Sequence, residues 1–597
     1  MRNDEGVRGE TRASGLWGTR RGGRGTSEGR NQAVRRGLLA LLVLALAAPL
    51  AASAGDHEHG RAWRDSYLAP SLQRAVTQTP SASVPVIVQS ADGSGRAQST
   101  LSKYGTASTK LGIVDAAAGE IVAGDLPKLA TNPGLVITAD QPVVLDAKPD
   151  PKDKNPKGNP HTTPTGFSSG EDWPAAVGVD QLWPALASLQ TTRSKGPTSA
   201  PSIAFVDSGI DSSRSDFAGR VLAQLDMTSL ENNSPGDGNG HGTLVAGLAA
   251  GSAPRHAGAA PTAGIVSLDV MDDEGMARTS DVIAAAQWIL KNHRQYNIRV
   301  ANFSLHAAAP TSFRWDPLDK AVEKLWFSGV VVVAASGNQA QGGQRTPMAY
   351  APANDPFVIT VGALDLHNST NPDRAGLAPW SAWGYTLDGF AKPELSAPGR
   401  AIVGPVPAGS TLAGEKPKQL IHAAEGTYMQ LSGTSLSAPI VSGIAADLLT
   451  LRPTLSPDQV KGALMLKARA LRKVGTLAGG VGEVYAPGAA AVQSPPNPNR
   501  ALDAFLVPDP SDDEDGLIFD DVSWLDAAKA SRAWDAVSWL DVSWSDASWL
   551  DVSWFDVSWS DVSWSDVSWS DVSWADVSWS DVSWADIQRN VYGDVGP

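Results

Sequence analysis

Cysteine is absent from the 597 residues. That absence removes disulfide scaffolds, thiol nucleophiles, zinc–cysteine sites and iron–sulfur clusters together, so any nucleophile has to be oxygen or nitrogen. The apolar stretch near the N-terminus, Leu38 to Ala48, lacks the length to span a bilayer, which takes roughly 20 residues. A strong positive charge is missing too. The formal charge is −15, but Asp503 to Asp594 holds 21 acidic and 3 basic residues, −18 in all, which leaves +3 elsewhere. The acidity belongs to one tail, and the body has no bias that would draw it to nucleic acid or anionic lipid. What is present, 42% hydrophobic and 19% charged residues, suffices for a large core and excludes a wholly disordered chain. At roughly 150 residues per domain the length allows about four units.

An Arg-, Gly- and Ser-rich start ends in Arg35-Arg36, the apolar core follows, and Ala52-Ser53-Ala54 supplies small residues for a cut. Residues 1–54 therefore read as a secretory signal, cleaved after Ala54; Val34 and Gly37 fit a twin-arginine signal imperfectly. Residues 83–145 read as a compact α+β unit, with strands at Val84–Val88, Ile113–Ala123 and Leu135–Ile137 and helices near Gln98–Tyr104 and Leu126–Ala130. Over 146–172 five prolines sit among Lys, Asp, Asn, Thr and Ser, which predicts an exposed, cleavable linker.

From 173 to 507 apolar runs of strand length alternate with amphipathic stretches. Ile203–Val206, Ile265–Val270, Val300–Leu305, Val330–Ala335 and Val358–Val361 are the strand candidates; Ser280–Asn292 and Ser437–Leu451 are helical, the second with a proline expected in its first turn. The alternation predicts an α/β fold, a mainly parallel sheet with helices on both faces and its chemistry at the carboxyl ends of the strands.

Four segments carry candidate chemistry, two of them, with Asp207 and Asn338, at that edge. Asp207 directly follows the strand Ile203–Val206. His241 stands between Gly240 and Gly242, which let the backbone approach closely and leave the imidazole open to a cleft. Ser435, in Ser432-Gly433-Thr434-Ser435, opens a helix whose free N–H groups can face a developing negative charge. Asn338, in Ser336-Gly337-Asn338, brings a carboxamide donor. Each alone is ordinary turn or cap chemistry. Together they supply the nucleophile, base, orienting carboxylate and oxyanion donor that acyl transfer requires.

The order Asp, His, Ser and the texts Val-Asp-Ser-Gly-Ile-Asp, Asn-Gly-His-Gly-Thr-Leu-Val-Ala-Gly, Ala-Ser-Gly-Asn and Gly-Thr-Ser-Leu-Ser-Ala-Pro resemble those of the subtilisin-like serine proteases, the subtilases. The resemblance implies Ser435 as nucleophile, His241 as general base and acid, Asp207 as its orienting carboxylate, and Asn338 with the Ser435 N–H as oxyanion donors. It further implies Ser304, Leu305 and Gly337 as substrate-binding residues, with Ser304-Leu305 pairing an extended peptide. The family commonly has glycine next, where this chain has His306, a bulkier neighbour for the pocket. Ser437 stands where an α/β-hydrolase elbow wants glycine, which sets that class aside. Residues 83–145 resemble the ferredoxin-like propeptide that subtilases use to assist folding and block the cleft, so peptide substrates and the chain's own propeptide are the implied partners, with no nucleic acid. The resemblance fixes no cofactor. The family often binds calcium as a structural ion, and Asp211 with Asp216, or Asp272 with Asp273 and Glu274, are oxygen-rich; none has ligand spacing, and solvated acidic loops are the expectation.

After an acidic linker at 508–520, Asp-Val-Ser-Trp-x recurs over 521–586, with Trp in twelve of thirteen slots from Trp524 to Trp584 and Lys529 in the other. A period of five gives neither a helix nor a strand a single tryptophan face. A chain turning every five residues would, as in the pentapeptide-repeat β-helix that the frame resembles; a disordered or assembly-dependent tail is the alternative. Such an aromatic, acidic array suits a cell-surface polymer or self-association. The reading is a secreted serine endopeptidase, extracellular or at the cell surface, made as a zymogen; the alternative is a surface adhesion or assembly protein on an inactive scaffold.

Overall fold

The computed structural model describes residues 66–145, 161–162, 168–169, 171–193, 200–475, 477–509 and 516–530. The expected export signal at 1–54 and the repeats beyond Ala530 lie outside the described residues.

The N-terminal unit is a five-stranded sheet of β1 (Tyr67–Leu68), β2 (Ser83–Ser90), β3 (Gly105–Leu111), β4 (Ala116–Val122) and β5 (Leu135–Ala139), in the order β1-β5-β2-β4-β3. It is antiparallel except at β1. Two helices, α1 (Pro70–Gln78) and α2 (Ser94–Leu101), accompany it. Alternation along β2 divides the work, since successive side chains point to opposite faces. Val86 and Val88 join the unit's own core with Leu101, Ile121 and Leu135, whereas Ile87 joins the core of the larger body. The unit begins before residue 83, because β1 and α1 belong to it. β3 escaped the sequence reading because Gly-Thr-Ala-Ser-Thr-Lys is a polar, largely exposed edge.

A short strand, β6 (Pro142–Val144), leaves this unit for the body. There β7 (Ser202–Asp207), β8 (Val221–Asp226), β9 (Gly264–Asp269), β11 (Ile298–Phe303), β13 (Val331–Ala335), β14 (Ile359–Asp365) and β15 (Leu395–Pro398) form a parallel sheet in the order β8-β9-β7-β11-β13-β14, with β15 beside β14. Gly376–Leu377 adds one antiparallel edge. The five expected strands are its buried centre, predominantly apolar because both faces are covered. β8, with alternate residues half-exposed, and β15, Leu-Ser-Ala-Pro, lacked that signal. Between β9 and β13 lie β10 (Met276–Arg278) and β12 (His306–Ala307). Among the helices of the body are α3 (His241–Ala250), α4 (Thr279–Asn292), α5 (Pro317–Phe327) and α6 (Thr434–Leu451), the last almost wholly buried.

Both boundaries of the body move outward from 173 and 507. Ser168–Ser169 pairs with His161–Thr162 and, through Ser169, with His256, so part of the expected linker is attached. At the two ends of the expected acidic linker at 508–520, β16 (Leu506–Pro508) pairs antiparallel with β17 (Leu517–Phe519), and a helix, α7 (Asp521–Ala530), stands at the predicted start of the repeats. Phe519 and Trp524 are buried in the body's main core, which fixes β17 and the first turn of α7 to the body.

Candidate active site

Asp207 ends β7 and His241 begins α3, and their side chains meet: His241 Nδ1 lies 2.7 Å from Asp207 Oδ1, which also accepts from the N–H of Ser208 at 2.9 Å. Both residues are buried. With Nδ1 donating to the carboxylate, Nε2 is the basic face of the ring. Gly240 is required before the histidine because its φ is +101°, and Gly242 after it because a Cβ there would lie 2.1 Å from the carbonyl of Gly209.

Asp237 holds this turn together. It accepts from Ser208 Oγ (2.9 Å), Gly240 N (2.7 Å), Thr243 N (2.7 Å) and the hydroxyl of Thr243, tying the residue after Asp207 to the first turn of α3. Burial outweighs these four donors and raises its pKa to about 6. The sequence reading passed over it, although Asp-x-x-Gly ahead of a helix is a capping signal. Asp269, in register beside Asp207 at the end of β9, is raised by burial to about 8.

Ser435 is the second residue of α6, which packs against α3. Its Oγ and the Nε2 of His241 are both buried and hydrogen-bond to no described residue. Pro439 lies in the second turn of α6, not the first as expected, and this has a consequence four residues back. A proline has no N–H for the carbonyl at i−4, which here is that of Ser435. Ser304 fills the gap: its hydroxyl donates to the Ser435 carbonyl at 2.8 Å while accepting from Asn302 Nδ2 at 2.8 Å, and Asn302 Oδ1 accepts from Ser442 Oγ at 2.9 Å. A buried chain of hydrogen bonds thus fixes the turn that carries Ser435. Asn338, after β13, is equally buried, and its Oδ1 accepts from Thr434 N at 2.9 Å. The donor end of that carboxamide is therefore its NH2. Gly337 adopts φ +98° and donates its N–H to Thr434 Oγ1 at 3.0 Å.

A strand of the N-terminal unit's exit lies between two short strands of the body, and the groove between those two strands is filled by it. β6 pairs antiparallel with β10 on one side and β12 on the other, Val144 opposite Met276 and His306, Val143 opposite Ala277 and Ala307. Backbone bonds from Thr279 N to Gln141 O (2.9 Å) and Ala308 N to Pro142 O (2.9 Å) continue the pairing, and Val143 is fully buried. Strand addition of this kind is one way an extended peptide is gripped. The pairing falls on His306 and Ala307, two residues beyond the expected Ser304-Leu305, because Leu305 is buried in the core and Ser304 is committed to Ser435. The His306 ring turns toward Tyr350, 5.6 Å between centroids.

The subtilase family pattern matches residues 198–487. Serine protease AprX of Bacillus subtilis (strain 168) is 34% identical over 288 residues, 46% of this chain and 62% of that protein. Subtilisin DY of Bacillus licheniformis is 32% identical over 264 residues, 44% of this chain and 81% of the relative. The chain belongs to the subtilase family.

This subtilase is also 34% identical over 296 residues to the extracellular serine proteinase of Thermus sp. (strain Rt41A), covering 49% of this chain and 62% of that one. Fervidolysin from Fervidobacterium pennivorans, a keratinolytic enzyme related to subtilisin, shares its fold, with a TM-score of 0.54 at 22% identity over 70% of this chain and 62% of its own. The chain spans less than two thirds of AprX. Two of the acidic residues named as oxygen-rich for calcium have protein partners. Asp216 is held by Arg214 (2.9 Å) and the Tyr428 hydroxyl (2.7 Å), and Asp273 accepts from the N–H and hydroxyl of Ser234 (2.8 and 2.6 Å). Among the described residues no group of three or more His, Asp or Glu fits a metal ion.

Proposed function

We propose that this subtilase is a secreted serine endopeptidase made as a zymogen, with Ser435 as nucleophile and residues 66–145 as its own inhibitory propeptide. The observation that carries the reading is the Asp207–His241 bond at 2.7 Å at one sheet edge, beside a helix N-terminus that bears Ser435. In this mechanism Ser435 Oγ attacks the peptide carbonyl carbon and gives its proton to His241 Nε2, while Asp207 holds the opposite nitrogen and stabilises the imidazolium. The carbonyl oxygen becomes an oxyanion and accepts from Asn338 Nδ2 and the Ser435 N–H, where the helix dipole adds to the attraction. His241 then protonates the leaving amine. Water repeats the sequence on the ester and frees the acid. Ser304 and Gly337 act as positioning residues, one through the Ser435 carbonyl and the other through Thr434.

The strand in the groove supports self-processing. One step forward along β6 is one step back along β12, so from Val144 opposite His306 the register runs toward Ser304 and hence Ser435. The cut is expected within the two peptide bonds after Leu145, inside the stretch the sequence marks as cleavable. Secretion is supported by the signal-like residues 1–54 and by a relative named as extracellular.

The test is labelling with a serine-directed phosphonate, together with turnover of single variants. The label is expected on Ser435. Ser435→Ala, His241→Ala and Asp207→Asn should each lower turnover by roughly 10⁴ to 10⁶, and Asn338→Ala by about 10² to 10³. Ser435→Ala made without other proteases should retain residues 66–145, whereas the active chain loses them. Undiminished hydrolysis by Ser435→Ala refutes the assignment.

A further inference from the structure

The chemistry proposed for the body leaves the Asp-Val-Ser-Trp repeat unused, yet its first copy is seated on that body. Asp521-Val522-Ser523-Trp524 makes the first turn of α7. Asp520 caps the turn, accepting from the N–H of Ser523 at 2.9 Å and its hydroxyl at 2.6 Å. Residues three apart on a helix share a face. Here that face carries Asp521 and Trp524, both buried, while Val522 stands 42% exposed. Asp521 pairs with Arg314 at 3.2 Å and lies 3.9 Å from Lys320. The Trp524 ring stacks on Phe390 with centroids 5.5 Å apart, meets Phe313 edge-on at 5.8 Å and lies 6.1 Å from Phe519. Two cations beside an aromatic slot thus select a carboxylate and an indole at i and i+3.

We propose that this notch is a receptor for the Asp-Val-Ser-Trp unit as such, and that later copies in the same tail take the seat when the first is lost. The tetrapeptide recurs unchanged eight times between Asp541 and Trp584. The two side chains that the notch holds are the two that a ligand of this kind must keep, and both are present in every such copy. Four copies, starting at Asp561, Asp566, Asp571 and Asp581, are preceded by Ser, a strong N-cap residue, in the place Asp520 occupies. The nearest later copy starts 20 residues after Asp521. A flexible tether of that order sustains about a millimolar local concentration, far above a second molecule at micromolar. In the intact chain the first copy wins because it is joined through Asp520 to β17. Phe313 and Arg314 of the seat lie on the loop between β12 and α5, so its occupant also braces the connection that leaves β12.

Thermal unfolding of four proteins tests this, all carrying Ser435→Ala to exclude self-digestion: the full chain and a chain ending at Ala530, each with and without Trp524→Ala. The body's described core ends at Trp524, so the shorter chain keeps all of it. In the shorter chain Trp524→Ala should lower the midpoint by roughly 5 °C or more. In the full chain it should lower the midpoint by no more than about 1 °C, because another copy reseats. Arg314→Ala, which damages the receptor, should cost the same in both lengths. Equal losses from Trp524→Ala with and without the repeats overturn the proposal. If Trp524→Ala prevents the shorter chain from folding while the full chain folds, the proposal stands; if neither folds, the same comparison with Asp521→Ala decides. Concentration-dependent association of the full-length Trp524→Ala protein in sedimentation would mark a second molecule as the occupant and overturn the same-chain assignment.

Discussion

Replacing Asp237 by asparagine separates two opposed effects at the turn before His241. The carboxylate accepts from four donors, two of them backbone N–H groups. An asparagine presents one carbonyl oxygen and an NH2 that cannot accept, so it satisfies at most two of the four. Each buried donor left without a partner costs about 1–3 kcal/mol, which gives a loss of about 2–6 kcal/mol for the pair. Burial acts against the charged form, however, and lifts the Asp237 pKa from 3.8 to about 6. That rise corresponds to about 3 kcal/mol. The folded state therefore prefers the protonated acid, and this stabilisation is complete below about pH 3.8 and lost as pH rises through about 6. Asparagine does not titrate. The stability gap between parent and Asp237→Asn should be widest near pH 4 and should narrow by up to about 3 kcal/mol at pH 7. Urea unfolding of both proteins in the Ser435→Ala background, from pH 4 to pH 7, measures the gap while all other groups cancel. A gap that is flat, or that widens with pH, refutes the claim that burial outweighs the four donors.

Ser304→Ala removes the donor that replaces the missing Pro439 N–H and leaves the Ser435 carbonyl buried without it; kcat should fall by about 10-fold or more with KM little changed, corresponding to about 1–3 kcal/mol, and a pure KM effect would contradict a positioning role. Asp140 accepts from the N–H (2.8 Å) and hydroxyl (2.7 Å) of Ser280 at the start of α4, so residues 66–145 carrying Asp140→Ala should inhibit the mature enzyme about 5- to 30-fold less well, as read from the inhibition constant. Ending the chain at Pro508 removes Phe519 and Trp524 from the main core and should lower the melting midpoint far more than ending it at Ala530, which leaves that core complete.

The parallel centre of the sheet was legible because its strands are built mostly of buried apolar residues, and because strand and helix periods are local properties of the chain. The edge strands β3 and β8 were not, since much of each meets solvent and carries polar residues, and neither was β15, whose four buried residues include a serine and a proline. The candidate site divides the same way. Asp207, His241, Asn338 and Ser435 announce themselves through glycines and small residues that their own turns require. Ser304 does not, because its role depends on a proline 135 positions away and on a hydrogen bond across 131 residues.

Sequence alone determined which residue types stand at the carboxyl ends of the strands, and that the chain repeats Asp and Trp with a period of five. Tertiary structure decided that Val143 and Val144 lie in the groove, that Asp237 ties Ser208 to α3, and that Asp521 and Trp524 belong to the body. The physical reason is one of range. Backbone conformation and amphipathic period act over a few residues, whereas a hydrogen-bond partner for a buried carbonyl, or an aromatic slot for an indole, exists only after distant segments have packed.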